Sequence, residues 1–348
     1  HAEILALTHG HPLALSLVAD LAGQGEQGFH YEQTPDVVAM LLERFVRDVP
    51  TPQHRMALYA CATARTLTES LLRAALAQPD VAAIFEWLRS LSFIEQGPLG
   101  LFPHDLARDI LSADLRWRDL EAYLELHRRI RRGLSERLFH VSGIEQQRAT
   151  FDLVYLHRNN PILKPYYDWQ TFGTLYSETV RPDEHARILQ QIAGFAGEEA
   201  AALAEHWIER QPSAWQAIRD SNGRIAGVFM YLQLHQTTAE DRQRDPAVAH
   251  AWEYACRQTP FRPGDEVTLA RYYAALPDYL SPSPVMNTAQ IATGQRWMTN
   301  PRLTWAFTDL IEPDHWYGMM SYYDFHRVAN PQFGLYAHNW RATPVAEW

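Results

Sequence analysis

The sequence predicts an α+β chain: an all-helical front portion gives way, from about residue 173, to a mixed sheet flanked by helices. Apolar residues recur at helical spacing through most of the first 140 positions. One short pair of strands around a Gly-Pro turn interrupts them at 93–102. Beyond 173, short β-rich runs take turns with helical stretches.

Residues 1–22 read as a helix entering after Gly10, with Pro12 near its first turn, where a missing N–H costs nothing. Gly23, Gly25 and Gly28 break it. Val37, Val38, Met40, Leu41, Leu42, Phe45 and Val46 then repeat helically until Pro50 and Pro52. Thr51-Pro52 opens a helix carrying Met56, Leu58, Tyr59 and Cys61, Thr68 to Leu76 forms another, and Asp80 caps a third reaching Leu91. Phe93 to Phe102 is a hairpin, His104 starts a further helix, and an arginine-rich helix runs from about Arg118 to Leu138. Its Arg128, Arg129, Arg131 and Arg132 interleave with Asp119, Glu121, Glu125 and Glu136, the pattern of a solvated face with i,i+4 pairs.

The order predicts a helical segment over 1–50, three helices and a wing over 51–140, a linker over 141–172 and an α/β domain over 173–348. Asn159-Asn160-Pro161 and Lys164-Pro-Tyr-Tyr-Asp-Trp169 make the linker extended and aromatic. After it we expect a strand at 175–180, helices to Phe195 and over 198–211, and strands at 213–219 and 224–234 around the Ser221-Asn222-Gly223 turn. A helical insertion at 238–258 follows, then a strand at 266–275, a helix at 287–298, a strand at 303–310, a helix at 314–325 and a last strand at 333–340.

Composition narrows the function classes. Hydrophobic residues make up 47% and charged residues 21%, as in soluble globular proteins. A net charge of −10 argues against a phosphate-seeking surface, and no apolar run reaches a membrane span. Cys61 and Cys256 lie far apart, which points to a reducing compartment, and a cytoplasmic location is the expectation. The helix at 80–91 carries little that reads base edges or pairs with phosphates, so we expect no direct nucleic-acid binding. His9-x-His11 stands without a cysteine or carboxylate cluster and makes no zinc site.

Gly10, Pro12, Leu13, Ala14 and Leu15 resemble the Gly-x-Pro-Leu-Ala-Leu helix start in the lid of STAND signalling ATPases, the class of NB-ARC and MalT-type regulators. Three helices and a wing then match that class's winged helix, and Phe102-Pro-His-Asp-Leu106 matches its Met-His-Asp-like motif. The resemblance implies that Pro12 packs on adenine and that His104 senses the β-phosphate of ADP, with ATP/ADP held by a nucleotide-binding domain. The chain has no Gly-x-x-x-x-Gly-Lys-[Ser/Thr] loop and opens at His1 inside a helical pattern. We therefore expect the back portion of a longer regulator, partnered by a nucleotide-binding domain in the same polypeptide.

From 173 to 342 the element order resembles the GNAT family of N-acetyltransferases. Gly227 stands at the usual glycine of the hairpin, and Tyr323 resembles the tyrosine that often protonates the leaving thiolate. The resemblance implies acetyl-CoA as cofactor, Tyr323 as acid and Glu266 as base, with Asp265 second. Two departures stand out. The family's glycine-rich pyrophosphate loop is replaced by Pro277-Asp-Tyr-Leu-Ser-Pro-Ser-Pro-Val-Met-Asn287, leaving Ser283 and Asn287 as possible CoA phosphate contacts, and Arg327 stands where a glycine is usual. The expected role is thus a regulatory or sensing one, in which the domain binds a small molecule or protein; acetyl-CoA-dependent N-acyl transfer is the alternative.

Overall fold

The computed structural model describes residues 49–275, 281–330 and 332–345, together with Pro12, Leu15 and Val46. The expected helical segment at 1–50 therefore lies almost wholly outside the described residues. The chain divides into two compact units, His1–His140 and Val141–Trp348. No helix among the described residues is long and apolar enough to cross a membrane.

In the first unit, helices α1 (Pro52–Thr63), α2 (Glu69–Leu76) and α3 (Ala82–Ser90) precede a hairpin of β1 (Ile94–Gly97) and β2 (Gly100–Pro103). Thr51 and Thr68 cap the first two helices by accepting the His54 and Leu71 amides. Leu67 and Leu101 exchange backbone bonds at 2.7 and 2.9 Å and tie the wing to the helices. Gly100 is required there: its φ is +140°, and a Cβ would sit 2.6 Å from the Leu67 carbonyl oxygen. Helix α4 (Asp105–Arg118) follows, and its buried Arg108 donates to the Ala64 and Arg65 carbonyls beyond the end of α1. Helix α5 (Leu120–His140) buries Leu126, Ile130, Leu134 and Leu138 at four-residue spacing.

The second unit holds a seven-stranded sheet ordered β3-β4-β5-β6-β7-β9-β8. The strands are β3 (Tyr176–Thr179), β4 (Trp215–Arg219), β5 (Ile225–Gln233), β6 (Glu266–Ala275), β7 (Leu303–Asp309), β8 (His326–Arg327) and β9 (Leu335–Asn339). Every neighbouring pair is antiparallel except β6 and β7, whose parallel pairing needs a crossover, supplied by helix α11 (Pro284–Thr299). Side chains alternate between two cores. Val228, Met230, Val267, Leu269, Trp305 and Phe307 face helices α7 (His185–Ala196), α8 (Glu198–Arg210) and α10 (Pro246–Gln258). Phe229, Tyr231, Ala270, Ala306 and Tyr336 face helix α6 (Gly143–Tyr155), α11 and α12 (Pro313–Tyr322). A short helix α9 (Ala239–Arg244) completes the insertion before α10.

One expectation is corrected. The stretch 141–172 is no extended linker: its first part is α6, and Phe151, Tyr155, Leu163, Tyr167 and Phe172 are core residues of the sheet domain. The aromatic residues that suggested an extended linker instead pack into or against the core that α11 and α12 share. Two smaller differences concern the end of the chain. Helix α12 stops at Tyr322, so Tyr323 is its C-cap, and β8 is a strand too short for its pattern to show.

The Arg219 guanidinium, 1% exposed, pairs with Glu178 and Glu184 between β3, β4 and the start of α7. Its bond to Glu184 holds that carboxyl at about 2. A depressed carboxyl stabilises the fold above its unfolded value of about 4.3, and that contribution fades as pH falls from there towards 2. Glu184→Gln should therefore flatten the loss of stability between pH 4.5 and 2.5 in acid-titrated urea unfolding; an unchanged slope would contradict the pairing.

Candidate functional site

The opening in the sheet arises from β6. Its register with β7 ends at Ala270↔Thr308, yet β6 runs on to Ala275 paired only with β5. Between the pairs Met230↔Arg271 and Val228↔Ala274, Tyr272 and Tyr273 oppose the single residue Phe229, which is a β-bulge. Tyr272 takes φ +56°, a backbone conformation that costs a bulky residue about 1–3 kcal/mol.

Two buried polar sets hold this bulge. On one face Arg271 donates to both oxygens of Asp245 at 3.0 and 2.7 Å and lies 3.4 Å from Asp309 at the end of β7. Asp245 also accepts from Trp207 Nε1 at 2.8 Å and caps α10 through the Ala247 and Val248 amides. Burial pushes the Asp309 carboxyl up, with Arg271 opposing. On the other face the Tyr273 hydroxyl bonds Thr308 at 3.2 Å and lies 3.5 Å from Thr293.

On that second face the segment 163–172 bridges α11 and α12. Asn287, fully buried in the first turn of α11, donates to the Asp168 carbonyl at 2.7 Å and accepts the Asp168 amide at 3.1 Å. The Tyr167 and Tyr323 hydroxyls share a bond of 2.9 Å. Burial, then Tyr167, raises the Tyr323 phenol well above its ordinary value, so it stays protonated at any physiological pH. Tyr166 stacks on Trp316 and donates to the His315 carbonyl. The start of α11 has few donors left. Pro284 has no N–H, the Ser283 hydroxyl accepts the Met286 amide at 3.2 Å, and the Asn287 amide bonds the Ser283 carbonyl. Among the described residues, Val285 N–H is the first-turn donor without a partner.

Tyr323, Ser283 and Asn287 are thus brought to one place by the 163–172 segment. Glu266 is not. It opens β6, accepts from Asn300 Nδ2 at 2.8 Å and pairs with Arg302, at the C-terminal end of α11. Asn300 and Asn287 lie thirteen helical positions apart, about 20 Å at 1.5 Å per residue. Asp265 is likewise engaged, by the Arg262 amide and Arg341. His104 is the exposed N-cap of α4, and its side chain caps nothing. Pro12 is helical and exposed; the residues around it lie outside the described ones. The remainder of the replaced loop, 277–280, is also outside them.

Sequence reasoning missed Tyr167, Asp168, Arg271, Asp245 and Asp309. The aromatic run at 166–169 was the available signal for the first two. For the charged trio there was none, because the three residues come from three separated stretches. Among the described residues no group of His, Cys, Asp and Glu could hold a metal ion. The chain matches no protein-family model, no curated protein and no solved structure.

Replacing Arg271 by Met leaves Asp245 and Asp309 without their buried cation and should cost about 3–5 kcal/mol in urea unfolding. Tyr323→Phe leaves one buried hydroxyl unpaired and should cost only about 1–3 kcal/mol. Equal costs would contradict the ranking.

Proposed function

We propose that residues 141–348 are a GNAT-like domain that binds a ligand rather than transferring an acyl group. In this reading the domain is the sensing part of a STAND-type regulator, and residues 1–140 are its lid and winged helix. The GNAT likeness is supported by a single parallel pair inside an otherwise antiparallel seven-stranded sheet, with β6 leaving β7 at a bulge. The winged-helix likeness is supported by three helices, a hairpin pinned by Leu67 and the following His104, exposed and open to a phosphate presented by a nucleotide-binding domain.

The observation that carries the non-catalytic reading is the occupation of the groove by the chain itself. A CoA pyrophosphate needs several amides at the start of α11, and among the described residues its first turn leaves one, the Val285 N–H. The Tyr323 hydroxyl, which would protonate a thiolate, is spent on Tyr167. Glu266, which would take a proton from an amine, is held by Arg302 and Asn300 about 20 Å away along α11. The residues present therefore fit acetyl-CoA poorly, and no step through it is derived. In the regulator, ligand on this domain and ADP or ATP near His104 would bias one packing equilibrium from two sides.

Calorimetric titration of the purified chain tests this. Acetyl-CoA, ATP and ADP should each give no binding heat up to about 1 mM, a Kd limit of roughly −4 kcal/mol. Micromolar acetyl-CoA binding that Tyr323→Phe weakens would overturn the reading in favour of an N-acyltransferase.

A further inference from the structure

A second cleft, of about 420 Å³, lies in the sheet domain away from Tyr323, between the start of α6, the edge strand β3 and the C-terminal half of α11. That volume suits a small organic molecule. The groups around it set its electrostatics. Arg296 lines it from α11, with its guanidinium over the Tyr231 and Phe229 rings at 5.1 and 5.8 Å. The Arg296 Nη1 atom is buried and has no hydrogen-bond partner, and among the described residues no carboxylate pairs with this side chain. An unpaired, desolvated donor on this half-buried cation is costly.

The start of α6 supplies a second feature of the same sign. Gly143 and Ile144 line the cleft at the first helical positions, and the N-cap Ser142 makes no side-chain bond to the helix. Their N–H groups and the positive end of the helix favour an anion. Around these lie polar side chains that already satisfy one another. Gln147 exchanges bonds with Ser177, Gln295 donates to Gln146, and Gln216 donates to the Ser213 carbonyl. They shape the cleft without competing for Arg296.

We infer that this cleft binds a small organic monocarboxylate, its carboxylate on Arg296 and its apolar part along Ile144, Tyr176 and Ala292. The charge balance selects one negative charge over two. Glu178 also lines the cleft, and Arg181 and Arg219 neutralise it; among the described residues lining the cleft, Arg296 is the cation left for a ligand. A phosphate monoester would bring nearly two charges and face that carboxylate. The site gives the ligand-binding reading above a ligand class, and it stands without the likeness to acetyltransferases. Acetyl-CoA binding would overturn that reading and leave this one untouched.

The probes are sodium benzoate, phenylacetate and butyrate, with benzamide as the neutral control and inorganic phosphate as the dianionic one. Thermal unfolding of the full chain should show at least one carboxylate raising Tm by about 3–6 °C at ten times its Kd. Benzamide and phosphate should leave Tm unchanged. Arg296→Gln should abolish the shift. Ile144→Asp is a second variant that keeps folding separable from binding: residue 144 is 45% exposed, and a carboxylate in the first turn of a helix is stabilising. It should weaken carboxylate binding at least tenfold. The inference is overturned if no carboxylate shifts Tm, if benzamide or phosphate shifts it as much, or if both variants keep the wild-type response.

Discussion

The buried pairing of Arg271 with Asp245 is the constraint from which the rest of the sheet domain follows. Moving three ionisable groups out of water costs several kcal/mol each, and such a cluster persists only where its bonds are nearly saturated. Asp245 meets that condition, accepting two bonds from Arg271, one from Trp207 and two from the α10 backbone. Because Arg271 is fixed to one face, the extra residue must be taken up at Tyr272, in a positive-φ conformation. The bulge turns Tyr273 to the opposite face and carries β6 away from β7. An opening in the middle of a sheet would leave backbone and apolar surface exposed, and here α11, α12 and the 163–172 segment close over that face.

Most elements were legible because their signals are local. The Ser221-Asn222-Gly223 turn, Thr51 before Pro52 and the continuous apolar run of β5 each name their own structure. The parallel pair was not legible from the order of elements alone, since β7 and β9 also flank a helix yet pair antiparallel. What was hidden depends on distance in sequence. Tyr167 meets Tyr323 across 156 residues and Asp168 meets Asn287 across 119, so nothing near 164–169 says whether its aromatics face water or a core. The same limit applies to Arg296, whose isolation is visible only once α11 lies against Phe229 and Tyr231.

The two helix starts on one face of the sheet differ instructively. Helix α11 begins Ser-Pro-Val-Met-Asn and consumes its own donors through Ser283 and through the carbonyl bonds around Asn287. Helix α6 begins Ser-Gly-Ile-Glu, leaves its Ser142 cap unmade and lies beside an unpaired guanidinium. Among the described residues, the second start keeps donors that the first has spent.

Residues 163–172 fill the opening on their face of the sheet domain, held there by Asn287 and Tyr323. Amide hydrogen exchange on the unliganded full chain measures this most directly. Clamped by Asn287 and Tyr323, the Tyr167, Asp168 and Phe172 region should exchange as slowly as the body of α11, orders of magnitude slower than an exposed loop. Exchange of that segment at loop rates, while α11 stays protected, would contradict the account.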